Sequence, residues 1–185
     1  MKLGKYILSE ISSEHFIDDF DCGYDENRLG LWLRKSAYEE NQKHLSRVWI
    51  LASGEQPGVP LGYFSLSEHQ LLSNEVLKRQ RDGISHNRSH PARLLGKFAL
   101  DQRDQGKGLG VILMAGVFRA YLEANKYSAS RFLVLHTQHE RLTEYYRQFG
   151  FVVVESNHAS METMILPTSD IEGYVNEIQV RSQEP

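Results

Sequence analysis

Apolar residues fall in short runs separated by polar, glycine- and proline-containing stretches, and the spacing of the runs changes along the chain. Leu3 to Ile11 reads as a first strand, followed by a short helical or looped stretch ending at Phe20-Asp21-Cys22-Gly23. From Asp25 to about Ser46, the positions Leu29, Leu31-Trp32-Leu33, Ala37 and Tyr38 recur near helical spacing. Charged residues occupy the other faces, which predicts an amphipathic helix. Arg47–Ala52 and Leu61–Leu66 read as strands, and the Gly/Pro-rich Gly54–Pro60 between them predicts an antiparallel hairpin. Residues 68–93 read as a long basic connection, and loops of that length within a compact domain are often functional. Leu94–Leu100 is an apolar strand, Asp101–Asp104 a turn, Gln105–Gly110 a glycine loop and Val111–Glu123 a long helix. Arg131–His136 then reads as a buried strand and Arg141–Phe149 as a helix stopped by Gly150. Phe151–Glu155 and Met161–Leu166 are the last strands, closed by Pro167. Antiparallel pairs combined with a strand–loop–helix unit give a mixed α/β sheet. Residues 168–185 are polar and acidic and are expected to hang loosely as a C-terminal tail.

Composition narrows the class. A chain of 185 residues is long enough for one domain with a full core. No run approaches the ~18 apolar residues of a membrane span, and the charged N-terminus carries no secretory signal. A lone Cys22 can form neither an internal disulfide nor a metal cluster, which fits a reduced cytosolic protein. His86 and His90 lie four apart with no third ligand nearby, so no metal site is expected. The formal net charge of −3 argues against a surface that binds nucleic acid everywhere, while leaving room for a local basic patch.

The chemistry concentrates at Gln105–Gly110. Gly106, Gly108 and Gly110 remove three side chains just where a helix begins, leaving bare backbone N–H groups at the positive end of the helix dipole. Such a place binds phosphate. A Walker loop would need Gly at 101 and Ser or Thr at 108, where Asp101 and Gly108 stand. The dinucleotide fingerprint would need a third Gly at 111 or 113, where Val111 and Leu113 stand. What the stretch resembles is the acetyl-CoA loop of the GNAT superfamily of N-acetyltransferases, through Gln105, Gly108 and Gly110 with Leu100-Asp101 before and Leu109 within. A second resembling segment, Tyr145-Tyr146-Arg147-Gln148-Phe149-Gly150-Phe151, follows after an intervening strand.

The resemblance implies a GNAT fold over residues 1–167: a mixed, mostly antiparallel sheet splayed at its centre, with flanking helices and acetyl-CoA as co-substrate. It implies that Gln105, Gly106, Lys107, Gly108, Leu109 and Gly110 hold the pyrophosphate, and that the backbone of the strand at Phe98 and Leu100 holds the pantetheine arm. Tyr146 matches the family's general acid, which protonates the departing sulfur, and Tyr145 is then a packing residue. A phenol with pKa near ~10 suits that role. Glu68, His136 and Glu144 are conceivable bases, and none is assigned.

Within the superfamily, the chain resembles the acetyltransferase toxins of toxin–antitoxin pairs. The matching residues are Phe20-Asp21-Cys22-Gly23, the paired basic residues of Leu33-Arg34-Lys35, the run Leu95–Asp101 and the final Leu166-Pro167. Toxins of this kind acetylate the α-amino group of aminoacyl-tRNA and are neutralised by a small DNA-binding antitoxin. Arg34, Lys35, Arg79, Arg81 and Arg93 are accordingly the expected contacts to a polyanionic acceptor. A cytoplasmic protein is expected, without membrane association, and a homodimer is compatible with it. The competing readings are an acetyltransferase for a small amine or a protein N-terminus, and a catalytically idle CoA-binding module.

Overall fold

The N-terminal run breaks at Gly4-Lys5 into two short antiparallel strands, β1 (Lys2–Leu3) and β2 (Tyr6–Glu10), where one strand was expected. The computed structural model describes residues 1–23, 27–76, 88–154 and 161–181. It divides into two compact units: Met1–Ser67 with Leu95–Val117, and Glu68–Leu94 with Phe118–Pro185.

In the first unit β2 pairs antiparallel with β3 (Arg47–Ser53), and β3 with the start of β4 (Pro60–Leu72). Alternation along these strands sends Val48, Ile50 and Tyr63 to one face, where they join Ile11, Phe20, Cys22, Leu33, Ala37 and Ala99 in a core. Leu33, Val48 and Ile50 are fully enclosed there, and each such burial is worth about 1.5–3 kcal/mol. Tyr63 satisfies its buried hydroxyl by donating to the Leu29 carbonyl at 2.7 Å. The predicted amphipathic helix covers this face in three pieces. They are α1 (Asn27–Trp32), a π turn (Leu33–Ala37) and α2 (Tyr38–Gln42). Its charges largely pair among themselves and with β2: Lys43 with Glu39, and Arg47 with Glu10 at 3.0 Å.

The second unit carries the start of β5 (Ser89–Leu100), which pairs parallel with β6 (Phe132–Thr137) through Ala92–Phe132, Arg93–Leu133 and Leu94–Val134. β6 pairs antiparallel with β8 (Glu162–Pro167), and β8 with β7 (Val152–Val154). Leu71, Val76, Ala92, Phe132, Val134, Val154 and Ile165 form its core. The hydrogen-bonded strand order is β1-β2-β3-β4-β5-β6-β8-β7, mostly antiparallel, as the GNAT fold requires. The helices are α3 (Leu109–Asn125), α4 (Glu140–Arg147) and α5 (Thr168–Arg181).

Two expectations are corrected. The connection expected over 68–93 is shorter, because β4 runs on to Leu72 and β5 begins at Ser89. The inward positions of early β5 include the polar His90 and Arg93, so the run lacks the apolar signature of a strand. The tail expected to hang loosely instead forms α5 over Thr168–Arg181. Thr168 opens it by donating to the Ser130 carbonyl at 2.7 Å, Ile171 is buried, and the Tyr174 ring stands edge-on to Phe118 at 5.4 Å.

Candidate active site

The parallel ladder between β5 and β6 stops at Leu94–Val134, while β5 continues to Leu100. In the first unit that continuation is the last strand, carrying the half-buried Phe98 and Leu100. A short 3-10 turn, Gln102–Asp104, then leads through the glycine loop into α3. Gly106 and Gly108 take φ of +73° and +76°, the left-handed region that side-chain-bearing residues enter at a cost of about 1–2 kcal/mol. A Cβ built on either would meet nothing within 4 Å, so the loop is open on that side. Two alternating left-handed glycines ahead of a long helix make a concave row of amides, the geometry that receives an anion. An anionic diphosphate fits this cradle.

The remaining loop residues play other parts. Leu109 is buried and anchors the first turn of α3, and Val111 N–H donates to the Gly108 carbonyl at 3.2 Å. Lys107 pairs its ammonium with Asp104 at 2.9 Å. The Gln105 side chain donates to the carbonyls of Cys22 at 2.9 Å and Leu100 at 3.3 Å, so it braces the loop from within the protein.

Beneath the loop lies Asp101, whose side chain is fully enclosed. Its carboxylate accepts from Arg103 Nε and Nη2, both at 2.7 Å, from Arg103 N–H at 3.0 Å and from Asp21 N–H at 3.2 Å. Burial disfavours its charge, yet the hydrogen bonds and positive charge of Arg103 prevail and hold the carboxyl below the usual range. The same pairing raises the Arg103 guanidinium. Neither residue was singled out from the sequence for this role, although Leu100-Asp101 was part of the motif match. The Phe20–Gly23 signature was a second signal, since Asp21 is what Asp101 holds.

Tyr146 lies in the second unit, on the buried face of α4, with its ring edge-on to Phe151 at 5.8 Å and to Tyr145 at 5.3 Å. Tyr145 also meets Phe149 at 5.2 Å, and burial, with Tyr174 adding to it, pushes its phenol up to about 12. Of the conceivable bases, Glu68 pairs with Arg93 at 2.9 Å and Glu144 with Arg147. His136 bonds Thr163 at 3.0 Å and stands edge-on to His69 at 5.9 Å.

The expected acceptor contacts separate. Lys35 is exposed on the π turn, and Arg34 beside it donates to the Phe20 carbonyl. Arg79 and Arg81 lie outside the described residues. Arg93 is corrected: it is only 4% exposed. Its guanidinium is taken up by Glu68, the carbonyls of Tyr121 and Ser128 at 3.4 Å, and the Tyr121 ring. It is an interior cation that ties β5 to the end of α3. His90 is likewise interior, with Nε2 3.4 Å from Ser73 Oγ and its ring edge-on to Phe132. Among the described residues no group of three or more His, Cys, Asp or Glu side chains is placed to hold a metal, and no helix is long and apolar enough to cross a membrane.

Strand order, the β5–β6 ladder that stops short and the glycine loop opening α3 together define the fold of the GNAT N-acetyltransferases. Within that fold the chain resembles the acetyltransferase toxins. It is 24% identical over 143 residues, 77% of this chain and 82% of the other, to a tRNA-acetylating toxin of Mycobacterium tuberculosis. It superposes with a TM-score of 0.80 on a Tyr-to-Phe mutant of KacT, at 25% identity, covering 92% of this chain and 99% of that one. AtaT complexed with acetyl-methionyl-tRNAfMet gives a TM-score of 0.80 at 21% identity, again covering 92% and 99%. No family model matches the sequence.

Proposed function

We propose that this protein transfers the acetyl group of acetyl-CoA to the α-amino group of an aminoacyl-tRNA, acting as a translation-blocking toxin. The observation that carries the reading is the open, doubly left-handed loop of Gly106 and Gly108 at the start of α3. The chain is similar to a tRNA-acetylating toxin, to AtaT, solved with acetyl-methionyl-tRNAfMet, and to AtaTR, solved with acetyl-CoA. The KacTA–DNA complex supports a small DNA-binding antitoxin as a partner. Charged tRNA is a cytoplasmic substrate, so the protein works in the cytoplasm.

Bound acetyl-CoA supplies a thioester carbonyl for the amine and a thiolate leaving group. The amides of residues 106–110 hold its pyrophosphate, and the backbone around Phe98 and Leu100 aligns its pantetheine arm. Alignment of two reactants supplies much of the rate in such a transfer. Tyr146 Oη holds the proton that the departing sulfur takes up. No residue is needed to strip the acceptor fully, because an α-amino group with pKa of about 7.7–8.0 is already partly neutral near pH 7. The exposed Lys35 meets phosphates of the acceptor, and Arg79 and Arg81 are the further sequence candidates.

The direct test incubates the protein with labelled acetyl-CoA and total charged tRNA. Label entering the RNA at the aminoacyl amine is the expected result. A better specificity constant for a free amine would overturn the tRNA reading, and no thioester turnover with any amine would leave the idle module.

A further inference from the structure

Between Asp19 and Cys22, four successive backbone carbonyls each accept one hydrogen bond from a different donor. The Asp19 carbonyl takes Arg103 Nη2 at 3.3 Å, and the Phe20 carbonyl takes Arg34 Nη1 from the π turn. The Asp21 carbonyl takes Gln102 N–H at 2.7 Å, and the Cys22 carbonyl takes Gln105 Nε2 at 2.9 Å. In the reverse direction, Asp21 N–H donates to Asp101 and the Asp21 carboxylate accepts from Gln102 Nε2 at 2.9 Å. Three of the four carbonyls are therefore held by residues 102–105, immediately ahead of Gly106, and the fourth by the π turn. All of these groups belong to the first unit.

Extended backbone that satisfies its carbonyls with side chains from two other elements is a strap. It cannot shift on one side without breaking bonds on the other. Burying Asp101 without Arg103 and Asp21 would leave a charge enclosed and unpaired, which folded proteins do not tolerate. The loop and the strap are thus locked to one geometry together.

We infer that the strap Asp19–Cys22 couples the π turn to the cofactor loop, with Asp101, Arg103 and Arg34 as positioning residues for acetyl-CoA. This rests on the acetyl-CoA reading of the loop. Arg34, expected from sequence to touch the acceptor, then acts on the other substrate through the Phe20 carbonyl.

The test measures acetyl-CoA affinity by calorimetry, with melting temperature and steady-state constants, for wild type, Asp101→Asn, Arg103→Gln, Arg34→Met and the Arg103→Gln/Arg34→Met pair. Each single variant should raise the acetyl-CoA Kd and KM by roughly tenfold, the usual cost of one hydrogen bond to a charged group. The acceptor KM, kcat and melting temperature of Arg103→Gln and Arg34→Met should stay near wild type. The pair should lose less than the product of the single losses, as groups acting through one strap do. Arg103 is mostly exposed, so Arg103→Gln carries the test should Asp101→Asn fail to fold. Wild-type affinity in Arg103→Gln would overturn the positioning role. Unchanged acetyl-CoA affinity in Arg34→Met, with a raised KM for tRNA, would overturn the coupling. A wild-type protein that binds no acetyl-CoA would sink the cofactor reading itself, and the inference with it.

Discussion

Tyr145 and Tyr146, adjacent in α4, meet edge to face with ring centroids 5.3 Å apart and planes at 74°. The contact fixes both rings, and their environments differ: Tyr146 is the more buried, while Tyr145 faces Phe149 and Tyr174. Only one of the two hydroxyls is needed for chemistry. Tyr146→Phe should keep the fold and acetyl-CoA affinity and lose about 10²- to 10⁴-fold in turnover. Tyr145→Phe should be mild, and a loss of only a few-fold in Tyr146→Phe would take the acid role away from it.

Tyr145 also sets an alkaline limit. Its phenol is pushed up to about 12 in the folded protein, against about 10 when unfolded. The folded state therefore holds this proton longer than the unfolded state. The resulting stability is fully present below pH about 10 and is lost as pH rises from there through about 12. Urea midpoints measured across that window should fall less steeply in Tyr145→Phe than in wild type.

Gly108 separates strain from ligand exclusion. Its φ of +76° penalises any side chain, and the surrounding space is open. Gly108→Ala should fold with a stability loss of about 1–2 kcal/mol. Gly108→Glu adds bulk and negative charge where phosphate is received, and should abolish acetyl-CoA binding by calorimetry while remaining folded. Equal affinity in the two variants would place the pyrophosphate elsewhere.

The glycine loop was readable in advance because only glycine readily accepts the backbone conformation found at Gly106 and Gly108. Central β5 was readable because Leu94–Leu100 is apolar, but its first residues were not, since His90 and Arg93 fill interior positions with polar groups satisfied by Ser73, Glu68 and backbone carbonyls. Hydrophobic periodicity cannot register a buried cation. Helix α5 escaped for the opposite reason: among its described side chains only Ile171 is fully buried, too few apolar positions to make a stripe. Arg34 and Lys35 looked alike on paper, and only the Phe20 carbonyl distinguishes them.

Arg93 and the surface cations should consequently respond to different measurements. Arg93→Met leaves the carbonyls of Tyr121 and Ser128 without this donor, and should destabilise the protein by about 2 kcal/mol with no change in the salt dependence of tRNA acetylation. Lys35→Ala, or the joint replacement of Arg79 and Arg81 by Ala, should leave stability alone. Removing each cation that meets a phosphate should flatten the logarithmic salt slope by roughly 0.7–0.9. A salt slope of zero in the wild type would exclude a polyanionic acceptor.

The π turn at Leu33–Ala37 makes the length of this helix, rather than its composition, the quantity that cannot be traded. A π turn holds one residue more than an α turn. Taking one residue out would restore ordinary winding and rotate Tyr38–Gln42 by about 100° relative to α1. Asn41 would swing away from β3, where its side chain now accepts from Val48 N–H at 3.0 Å and donates to Glu10 at 2.9 Å. Many substitutions at exposed Lys35 should therefore be harmless to folding, whereas a single-residue deletion between Leu33 and Ala37 should undo the docking of the whole helical segment on the sheet.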